Sequence, residues 1–357
     1  MPFLSVNYKN FRNLSDNAID FQAKEIFFVG ENGQGKSNIL ESLYLLAYGN
    51  SFRTHKENEL IKNGQNEFGI SALFLNDKEL SERIVIKLQE GKKKIEKNGK
   101  RISDRKELIN TIPAVLFCHD DLEFVSGEPE KRRFFIDQTI SMNDVVYLDY
   151  LRRYKKTLKN RNIILKEKRY AMLDVYDIQL IENGIEIQKK RKNTFFMINN
   201  IFTKIYQEVS GINNVAIEYR PFWKSQEKEE LIEILKAKRE QDIVLGTTTS
   251  GPHRDAIIFM RNGQPFVNTA STGQRRLAAL TLRIVQAVLY SNITQKKPVL
   301  LMDDVLLELD PEKRQKIMTL LPEYDQLFCT YLPEEPYERY IRSKTKVYQI
   351  KAGFWYE

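Results

Sequence analysis

Residues 30–37 read Gly-Glu-Asn-Gly-Gln-Gly-Lys-Ser, which fits the pattern G-x-x-x-x-G-K-[ST] of a phosphate-binding loop. The preceding residues, Ile26-Phe27-Phe28-Val29, form a short apolar run of the kind found in buried strands. After the loop, apolar residues recur at three- and four-residue spacing from Ile39 to Ala47, as on one face of a helix. A strand, a glycine-rich loop and a helix in this order predict a nucleotide-binding loop. The alternative is a simple Gly-rich turn.

The chemistry of this loop follows from its backbone. Its glycines let successive N–H groups point into one concavity, where the helix N-terminus adds positive potential. We expect Lys36 to reach the outer phosphates and the Ser37 hydroxyl to bind Mg²⁺. The residues predicted to contact the nucleotide are Gly30, Glu31, Asn32, Gly33, Gln34, Gly35, Lys36, Ser37 and Asn38.

A second apolar run, Val299-Leu300-Leu301-Met302, ends in the carboxylates Asp303 and Asp304. This is the Walker B pattern, in which a buried strand delivers one acid to Mg²⁺ and a second toward the attacking water. We assign Asp303 to the metal and Asp304 to the general base. Any strand can end in acidic residues, but this one accompanies a phosphate-binding loop. Asp310, in the stretch Glu308-Leu309-Asp310-Pro311, is expected beside the same site as its D-loop.

Residues 271–274 read Ser-Thr-Gly-Gln and precede a long helical pattern. Ser271 is a natural N-cap and Gly273 allows a close backbone approach, so this helix start could also receive a phosphate. Since the first loop already places one helix N-terminus at the nucleotide, a second fits best against a nucleotide held by another copy. The alternative is an ordinary capped helix. The residues predicted to act in trans are Ser271, Thr272, Gly273 and Gln274.

The composition restricts the class of protein. A chain of 357 residues with 42% apolar residues is long enough for about two domains with substantial cores. No apolar run reaches the roughly 18 residues that span a bilayer, and the N-terminus lacks a signal-peptide layout. Cys118 and Cys329 lie far apart, so we expect reduced thiols in a cytoplasmic protein without a membrane segment. The formal net charge of +8 permits nucleic-acid binding without proving it.

Strand signals dominate the first hundred residues. Leu4, Val6 and Tyr8 alternate with polar residues, which predicts an N-terminal strand with these three side chains on one face. Alternation from about residue 66 and the turn signal Lys97-Asn98-Gly99-Lys100 predict antiparallel strands up to about residue 103. Strand signals return at Ile243-Val244-Leu245.

The middle of the chain is helical in pattern. A heptad-like seam runs from Tyr147 to Leu165, interrupted by Arg161, and a second apolar stripe runs from Ile178 to Val209, interrupted by Gln188. The two helices are expected to pack together. A solvated face and phosphate contact remain open for a set of basic residues on the first helix. The candidate DNA-binding residues are Arg152, Arg153, Lys155, Lys156 and Lys159.

The order of these elements implies an α/β fold with a helical insertion. Residues 1–115 and 243–357 are predicted to form one ATPase domain, lobe I, from both ends of the chain. Residues 116–242 are predicted to form the inserted helical lobe II.

Several of these motifs together resemble the ABC-type ATPases of the SMC and Rad50 group. The phosphate-binding loop, the Ser271–Gln274 signature and the Walker B run carry this resemblance. Within that group the chain resembles the RecF family of bacterial DNA replication and repair proteins. The further stretches similar to that family are Phe11–Leu14, Gly127–Asp137 and Thr249–Asp255, the last containing Gly-Pro-His-Arg-Asp.

The resemblance implies an ABC-type (Rad50/SMC-like) P-loop ATPase head with ATP and Mg²⁺ as cofactors. It implies a slow ATPase that dimerises on ATP, clamps double-stranded or gapped DNA and helps to load RecA. RecR and RecO are the implied partners, in recombinational repair, replication restart and the SOS response. Asp304 stands where ABC ATPases more often have Glu, which suits slow turnover, and Leu327–Tyr331 offers no switch His for sensing the γ-phosphate.

Three other readings compete with this one. A small-molecule P-loop kinase would not need the Ser271–Gln274 signature and should not dimerise on ATP. The ATP-binding subunit of a transporter would dimerise but should not bind DNA. A structural SMC-like protein would need a longer helical insert to form an extended coiled coil.

Overall fold

The computed structural model describes residues 2–109, 111–307 and 309–357. The strands are β1 Phe3–Lys9, β2 Ala18–Asp20, β3 Glu25–Val29, β4 Phe68–Leu75, β5 Ser81–Gln89, β6 Lys92–Lys97, β7 Lys100–Arg101, β8 Ala114–Phe117, β9 Val215–Arg220, β10 Ala256–Arg261, β11 Gln264–Pro265, β12 Val299–Met302, β13 Gln326–Tyr331, β14 Thr345–Lys351 and β15 Phe354–Tyr356. The α-helices are α1 Lys36–Tyr48, α2 Lys106–Ile109, α3 Glu123–Ser126, α4 Pro129–Ser141, α5 Val145–Lys166, α6 Leu173–Ser210, α7 Lys228–Ala237, α8 Arg239–Leu245, α9 Phe266–Thr269, α10 Thr272–Thr294 and α11 Pro311–Leu320.

The chain forms two compact units, and both of its ends belong to the first. The first unit comprises Met1–Asp120 and Tyr290–Glu357, and the second comprises Asp121–Leu289. Residues 243–289 therefore belong with the helical unit and not, as predicted, with lobe I. The reason is strand pairing, because β10 pairs antiparallel with β9 over its whole length.

The first unit contains two six-stranded sheets. One is antiparallel with the order β2-β1-β4-β5-β6-β7, and β4 to β7 are the strands predicted for residues 66–103. The other has the order β15-β14-β3-β13-β12-β8 and is parallel except for the edge strand β15. Every residue of β3, β8, β12 and β13 is buried, as expected for parallel strands covered on both faces.

The N-terminal strand departs from its predicted alternation. Val6 and Tyr8 are buried as predicted, but Phe3 is buried in place of Leu4. The pairing of β1 with β4 shifts register between Phe3 and Ser5, and such an irregularity changes the face to which side chains point.

The second unit is built on α5 and α6, which pack against each other as predicted, together with the three-stranded sheet β11-β10-β9. Helix α6 ends at Ser210 and is capped by Gly211, whose backbone is left-handed (φ 72°). The strand predicted at Ile243–Leu245 is wrong, because these residues form the end of α8, closed by Gly246 with φ 61°. Val244 is 84% exposed, so this apolar run is not a buried strand.

The seams of α5 and α6 are less apolar than predicted. Arg161 and Gln188, which seemed to interrupt them, are both buried, whereas Ile178 is 39% exposed. Arg161 forms ion pairs through Nε with Asp177 and through Nη1 with Asp242, each at 2.7 Å. The interface between the two helices therefore contains paired charges as well as packed apolar side chains.

Helix α10 is long and apolar enough to cross a membrane by length and composition alone. However, 72% of its most apolar window is buried inside the structure. Such burial is typical of the core helix of a globular protein.

Candidate functional site

The phosphate-binding loop leaves β3 and ends at the first residue of α1. Gly33 and Gly35 have φ values of 78° and 120°, which side chains rarely adopt. Gly35 caps α1 without any side-chain hydrogen bond, and the first turn of the helix contains no acidic residue. The N-terminal N–H groups of α1 thus keep the positive potential that suits an anion. At Gly30 a Cβ would approach the Ile350 carbonyl oxygen to 2.4 Å, so this position requires glycine.

Lys36 lies across the loop. Its Nζ donates hydrogen bonds to the carbonyl oxygens of Gly30 (2.6 Å) and Glu31 (3.1 Å), and the residue is only 4% exposed. These carbonyls hold the ammonium group in the concavity of the loop. A phosphate oxygen is a stronger, charge-assisted acceptor that could take their place.

Ser37 and Asp303 come together although 266 positions separate them. The Ser37 hydroxyl donates to Asp303 Oδ1 at 2.8 Å, because β3 and β12 are parallel strands whose carboxyl ends meet at one edge of the sheet. Burial raises the pKa of Asp303 to about 6, and the neighbouring Asp304 adds to this, whereas the bond from Ser37 opposes it. One hydroxyl and one carboxylate fit Mg²⁺, which takes its other ligands from phosphate and water.

Asp304 has a different environment from its neighbour. Its backbone is left-handed, with φ 52°. Its N–H donates to Thr330 Oγ1 (2.8 Å), and the Thr330 hydroxyl in turn donates to Asp304 Oδ1 (2.7 Å). Sequence reasoning missed Thr330, since it searched β13 for histidine alone. A threonine within the apolar run of a buried strand was the available signal.

Sequence reasoning also missed an ion pair between Arg314 of α11 and Glu335, which follows β13. Glu335 Oε1 is 3.3 Å from Arg314 Nη1, and both side chains are about nine-tenths buried. Burial raises the pKa of Glu335, Asp304 raises it further, and Arg314 and Lys36 lower it. This pair therefore places a further carboxylate in the electrostatic environment of Asp304 and Lys36.

Asn38, predicted as a nucleotide contact, braces the loop. Its Nδ2 donates to Asn13 Oδ1 (2.7 Å), and Asn13 Nδ2 donates to the Gly33 carbonyl oxygen (3.3 Å). Arg53 Nη1 donates to Asn38 Oδ1 (2.7 Å). Asn13 belongs to Phe11–Leu14, one of the stretches that carried the family resemblance.

A buried carboxylate anchors the arginines of this region. Glu41 of α1 is fully buried and accepts bonds from Arg12 Nε (2.9 Å) and Nη2 (2.7 Å). The Ser51 hydroxyl donates to the same carboxylate (2.5 Å), and Arg53 lies 3.6 Å from it. A planar, bidentate arginine pair of this kind fixes geometry as well as charge.

The hairpin formed by β14 and β15 supports the loop from its other side. The Ala352 N–H donates to Gln34 Oε1 (2.6 Å), and the Gly353 N–H donates to the Gln34 carbonyl oxygen (2.9 Å). The Ser15 N–H donates to the Gly353 carbonyl oxygen (2.9 Å). No residue after Asp310 in the chain was predicted to belong to the site, so the sequence analysis missed this contribution of the C-terminal hairpin.

In the second unit, the Ser271–Gln274 signature forms a capping box. The Gln274 N–H donates to Ser271 Oγ (3.2 Å), and the Ser271 N–H donates to Gln274 Oε1 (2.9 Å). Ser271, Thr272 and Gly273 are exposed. A Cβ at Gly273 would meet nothing closer than Ser271 Oγ at 4.0 Å, so the outer face of the turn is open.

The remaining predicted residues lie on helix surfaces. Asp310 is the exposed N-cap of α11, where its Oδ1 accepts the Lys313 N–H (2.9 Å), and bonds from Lys313 lower its pKa. Glu308 lies outside the described residues. The candidate DNA-binding residues are exposed on α5, and they are Arg152, Arg153, Lys155, Lys156 and Lys159.

The two longer family-like stretches meet on one arginine of α6. Arg191 pairs with Asp137, at the end of the first stretch, at 2.9 Å, and with Asp255, at the end of the second, at 2.8 Å. His253, in the second of these stretches, forms a hydrogen bond between its Nε2 and the Thr248 carbonyl oxygen (3.0 Å). The two stretches are therefore joined through Arg191 inside the second unit.

A phosphate-binding loop and two Walker B carboxylates meet at the edge of a parallel sheet beside an antiparallel sheet, and the chain also carries a capped signature turn. These features define an ABC-type P-loop ATPase head with an inserted helical lobe.

Comparison with known proteins identifies the family. The family model described as the RecF/RecN/SMC N terminal domain matches residues 4–354. The chain is 50% identical over 350 residues to the DNA replication and repair protein RecF of Treponema pallidum (strain Nichols), covering 98% of this chain and 99% of that protein. It is 35% identical over 352 residues to the protein of the same name from Clostridium acetobutylicum, covering 96% of each. The chain belongs to the RecF family.

Solved structures agree with this assignment. The structure of the recombination mediator protein RecF-ATP in the RecFOR pathway superimposes with a TM-score of 0.89 at 30% identity, covering 99% of this chain and 97% of that one. An Smc head domain from Pyrococcus furiosus matches with a TM-score of 0.58 at 18% identity, covering 99% and 95%, which shows the shared fold alone. The kinase and transporter readings receive no support from these matches.

Proposed function

We propose that the protein is a slow, ATP-dependent DNA-binding switch that acts as a homodimer in recombinational repair and replication restart. One observation carries this proposal. Each chain brings the Gly30–Ser37 loop and Asp303 together at the edge of its parallel sheet and has, in its other unit, an exposed turn that is open at Gly273. In the proposed dimer, the turn of one chain covers the nucleotide held by a second copy of the chain.

In the proposed cycle, the Gly30–Ser37 loop of one protomer holds ATP, and Ser271–Gln274 of its partner closes over the γ-phosphate. Bound Mg²⁺ would be held by Ser37 and Asp303 and would neutralise charge on the phosphates. Asp304, oriented by Thr330, would accept a proton from the attacking water. The higher affinity of the dimer for ATP than for ADP drives opening after hydrolysis.

DNA is proposed to bind through phosphate contacts, which the exposed basic residues of α5 support. Such binding depends strongly on salt and weakly on sequence. The relative solved with ATP belongs to the RecFOR pathway, so we propose RecR and RecO as partners, gapped DNA as the site of action, help in RecA loading, and a cytoplasmic location.

The test measures the mass of the complex by light scattering, and duplex binding across a salt series, with ATP, ADP or no nucleotide. We expect a dimer and tight DNA binding with ATP alone. Lys36→Ala should lose both the dimer and the tight DNA binding, because it lacks the ammonium group that would contact the phosphates of ATP. A wild-type protein that stays monomeric at saturating non-hydrolysable ATP with DNA present would contradict the proposal.

A further inference from the structure

A half-enclosed cavity of about 530 Å³ lies within the second unit. Residues of α4, α5 and α6 line it together with the segment Pro252–Arg254. Its volume falls within the roughly 300–1,000 Å³ that is typical of small-molecule sites. The nucleotide site described above uses none of these residues.

Part of the cavity wall is apolar and includes an exposed aromatic ring. Phe134 of α4 is 53% exposed, whereas the next residue, Phe135, is buried. Leu151 and Leu158 of α5 also line the cavity. An exposed aromatic ring beside cationic side chains is the arrangement on which unpaired bases stack.

The charge of the cavity favours an anion. Four cationic side chains and two carboxylates line it, which leaves an excess of positive charge. Both carboxylates belong to α4, and one of them, Asp137, is already paired with Arg191. Arg191 is also paired with Asp255, so the excess of positive charge comes from Arg133, Lys155 and Arg254. Burial lowers the pKa of Arg133, and the nearby Arg191 lowers it further.

Buried hydrogen bonds hold the cavity in shape. Arg133 Nη1 donates to the Asp255 carbonyl oxygen (3.0 Å), and Arg191 pairs with the Asp255 carboxylate (2.8 Å). The Tyr154 hydroxyl is bonded to His253 Nδ1 (2.7 Å). The loop that carries Arg254 is thereby fixed before any ligand arrives, which lowers the entropic cost of binding.

We propose that this cavity binds one unstacked nucleotide of a DNA strand, with its base against Phe134 and its phosphate near Arg133, Lys155 and Arg254. Lys155 is also one of the candidate DNA-binding residues on α5, so the cavity adjoins the proposed DNA-binding surface. A paired base inside a duplex cannot enter a half-enclosed cavity, which is why the ligand is an unpaired nucleotide. The inference rests on the proposed DNA binding and adds the part of the chain that would contact an unpaired nucleotide.

The experiment compares a fully paired duplex with the same duplex carrying a short gap, by fluorescence anisotropy at saturating ATP. The wild-type protein should prefer the gapped DNA. Phe134→Leu keeps an apolar side chain but removes the ring, so affinity for gapped DNA should fall by about 5- to 150-fold while duplex binding is unchanged. Phe196→Leu is the matched control, since Phe196 is 72% exposed on α6 and does not line the cavity.

A charge variant provides a second readout. Arg254→Gln should reduce the slope of log affinity against log salt for gapped DNA by about 0.7, as expected for one lost single-strand phosphate contact. The exposed Lys204 of α6 gives the control Lys204→Gln, which should leave this slope unchanged.

A competition arm identifies the source of the nucleotide. If a free deoxynucleoside monophosphate displaces gapped DNA from the wild-type protein but not from Phe134→Leu, the cavity is supported as the binding site. If the monophosphate binds directly and the protein shows no preference for gapped DNA, the cavity is assigned to free nucleotides. The inference is overturned if the protein binds the duplex but shows no preference for gapped DNA and no nucleotide binding that depends on Phe134. Loss of ATP-stimulated binding to both DNAs would instead contradict the proposed function.

Discussion

Asp303 and Asp304 are adjacent in the chain, yet the fold gives them different surroundings. Asp303 lies against Ser37, and burial raises its pKa to about 6. Asp304 has a left-handed backbone and exchanges hydrogen bonds with Thr330. Separate environments are consistent with the separate roles proposed for these two carboxylates, one at Mg²⁺ and one at the attacking water.

Asp304→Asn tests the second role. Asparagine tolerates a left-handed backbone and can still accept the bond from Thr330, so folding and nucleotide binding should persist. Loss of the general base should lower the ATPase rate by about 10²- to 10⁴-fold and trap the ATP-bound dimer on DNA. Phosphate release and DNA dissociation are the measurements, with the exposed Glu312→Gln as control. Hydrolysis at the wild-type rate would assign the base to another group.

His253 gives a prediction for pH. Burial lowers its pKa to about 4, and the ring accepts at Nδ1 from Tyr154 and donates from Nε2 to the Thr248 carbonyl. A histidine whose folded pKa lies below its unfolded value of about 6.5 stabilises the fold fully above pH 6.5. That stabilisation is lost as the pH falls from 6.5 to 4.

The stability difference between wild type and His253→Gln should therefore narrow with acidification. The narrowing between pH 7 and pH 4 should reach at most about 3 kcal/mol, since one pKa unit corresponds to about 1.4 kcal/mol. Denaturant unfolding, followed by the fluorescence of the buried Trp223, measures it. A difference that stays constant across this pH range would exclude the protonation of His253 as its cause. The exposed His55 provides the matched variant His55→Gln.

At the scale of elements, the C-terminal hairpin braces the phosphate-binding loop. The turn between β14 and β15 bonds both the side chain and the backbone of Gln34. At Gly353 the φ value is 80°, and a Cβ would come within 1.9 Å of the Asn13 carbonyl oxygen. A side chain at this position would therefore push the turn away from the loop.

Gly353→Ala should weaken nucleotide binding as well as stability. Gly99→Ala is the control, because Gly99 has φ 77° and open space around its Cβ position in another hairpin of the same unit. Both variants carry the cost of a left-handed alanine, but Gly353→Ala should lose about 1–3 kcal/mol more through overpacking. Unfolding and nucleotide titration measure the two effects. Equal nucleotide affinity in both variants would show that the hairpin does not support the loop.

The helices of the second unit depend on buried ion pairs. Arg161 is fully buried and pairs with Asp177 and Asp242. Asp177 also has Arg239 at 2.8 Å, but Asp242 would lose its ion-pair partner if Arg161 were removed. Arg161→Met should therefore cost about 3–5 kcal/mol of unfolding free energy. Arg153→Met, at an exposed position of the same helix, should change it little, and a similar effect of both variants in urea unfolding would argue against the pairing.

At the scale of the whole molecule, each chain carries two half-sites that are proposed to meet across a dimer. Ser271→Arg should leave ATP binding by the loop intact and prevent the ATP-dependent dimer, because a large cation would occupy the open face of the turn. Light scattering and nucleotide titration report the two properties separately. Asn193→Arg, at an exposed position of α6, is the control. Normal dimerisation of Ser271→Arg would contradict the role in trans.

Local patterns predicted much of the first unit. The phosphate-binding loop, the Walker B strand and the β4–β7 strands follow from motifs and alternation within short windows, and the structure contains them. Other features depended on distant partners, such as the bond between Thr330 and Asp304 or the hairpin on Gln34. A short window contains no information about which strand will lie beside which.

By itself, the sequence determined the nucleotide-binding chemistry, because a tight glycine-rich turn and a carboxylate at a strand end are set by local backbone geometry. The tertiary structure alone decided where residues 243–289 belong and which polar side chains are buried. Arg161 and Gln188 look like interruptions of an apolar seam until Asp242 and Asp255 arrive from elsewhere in the chain. A buried charge is stable only beside its partner, and that partner is brought in by the fold.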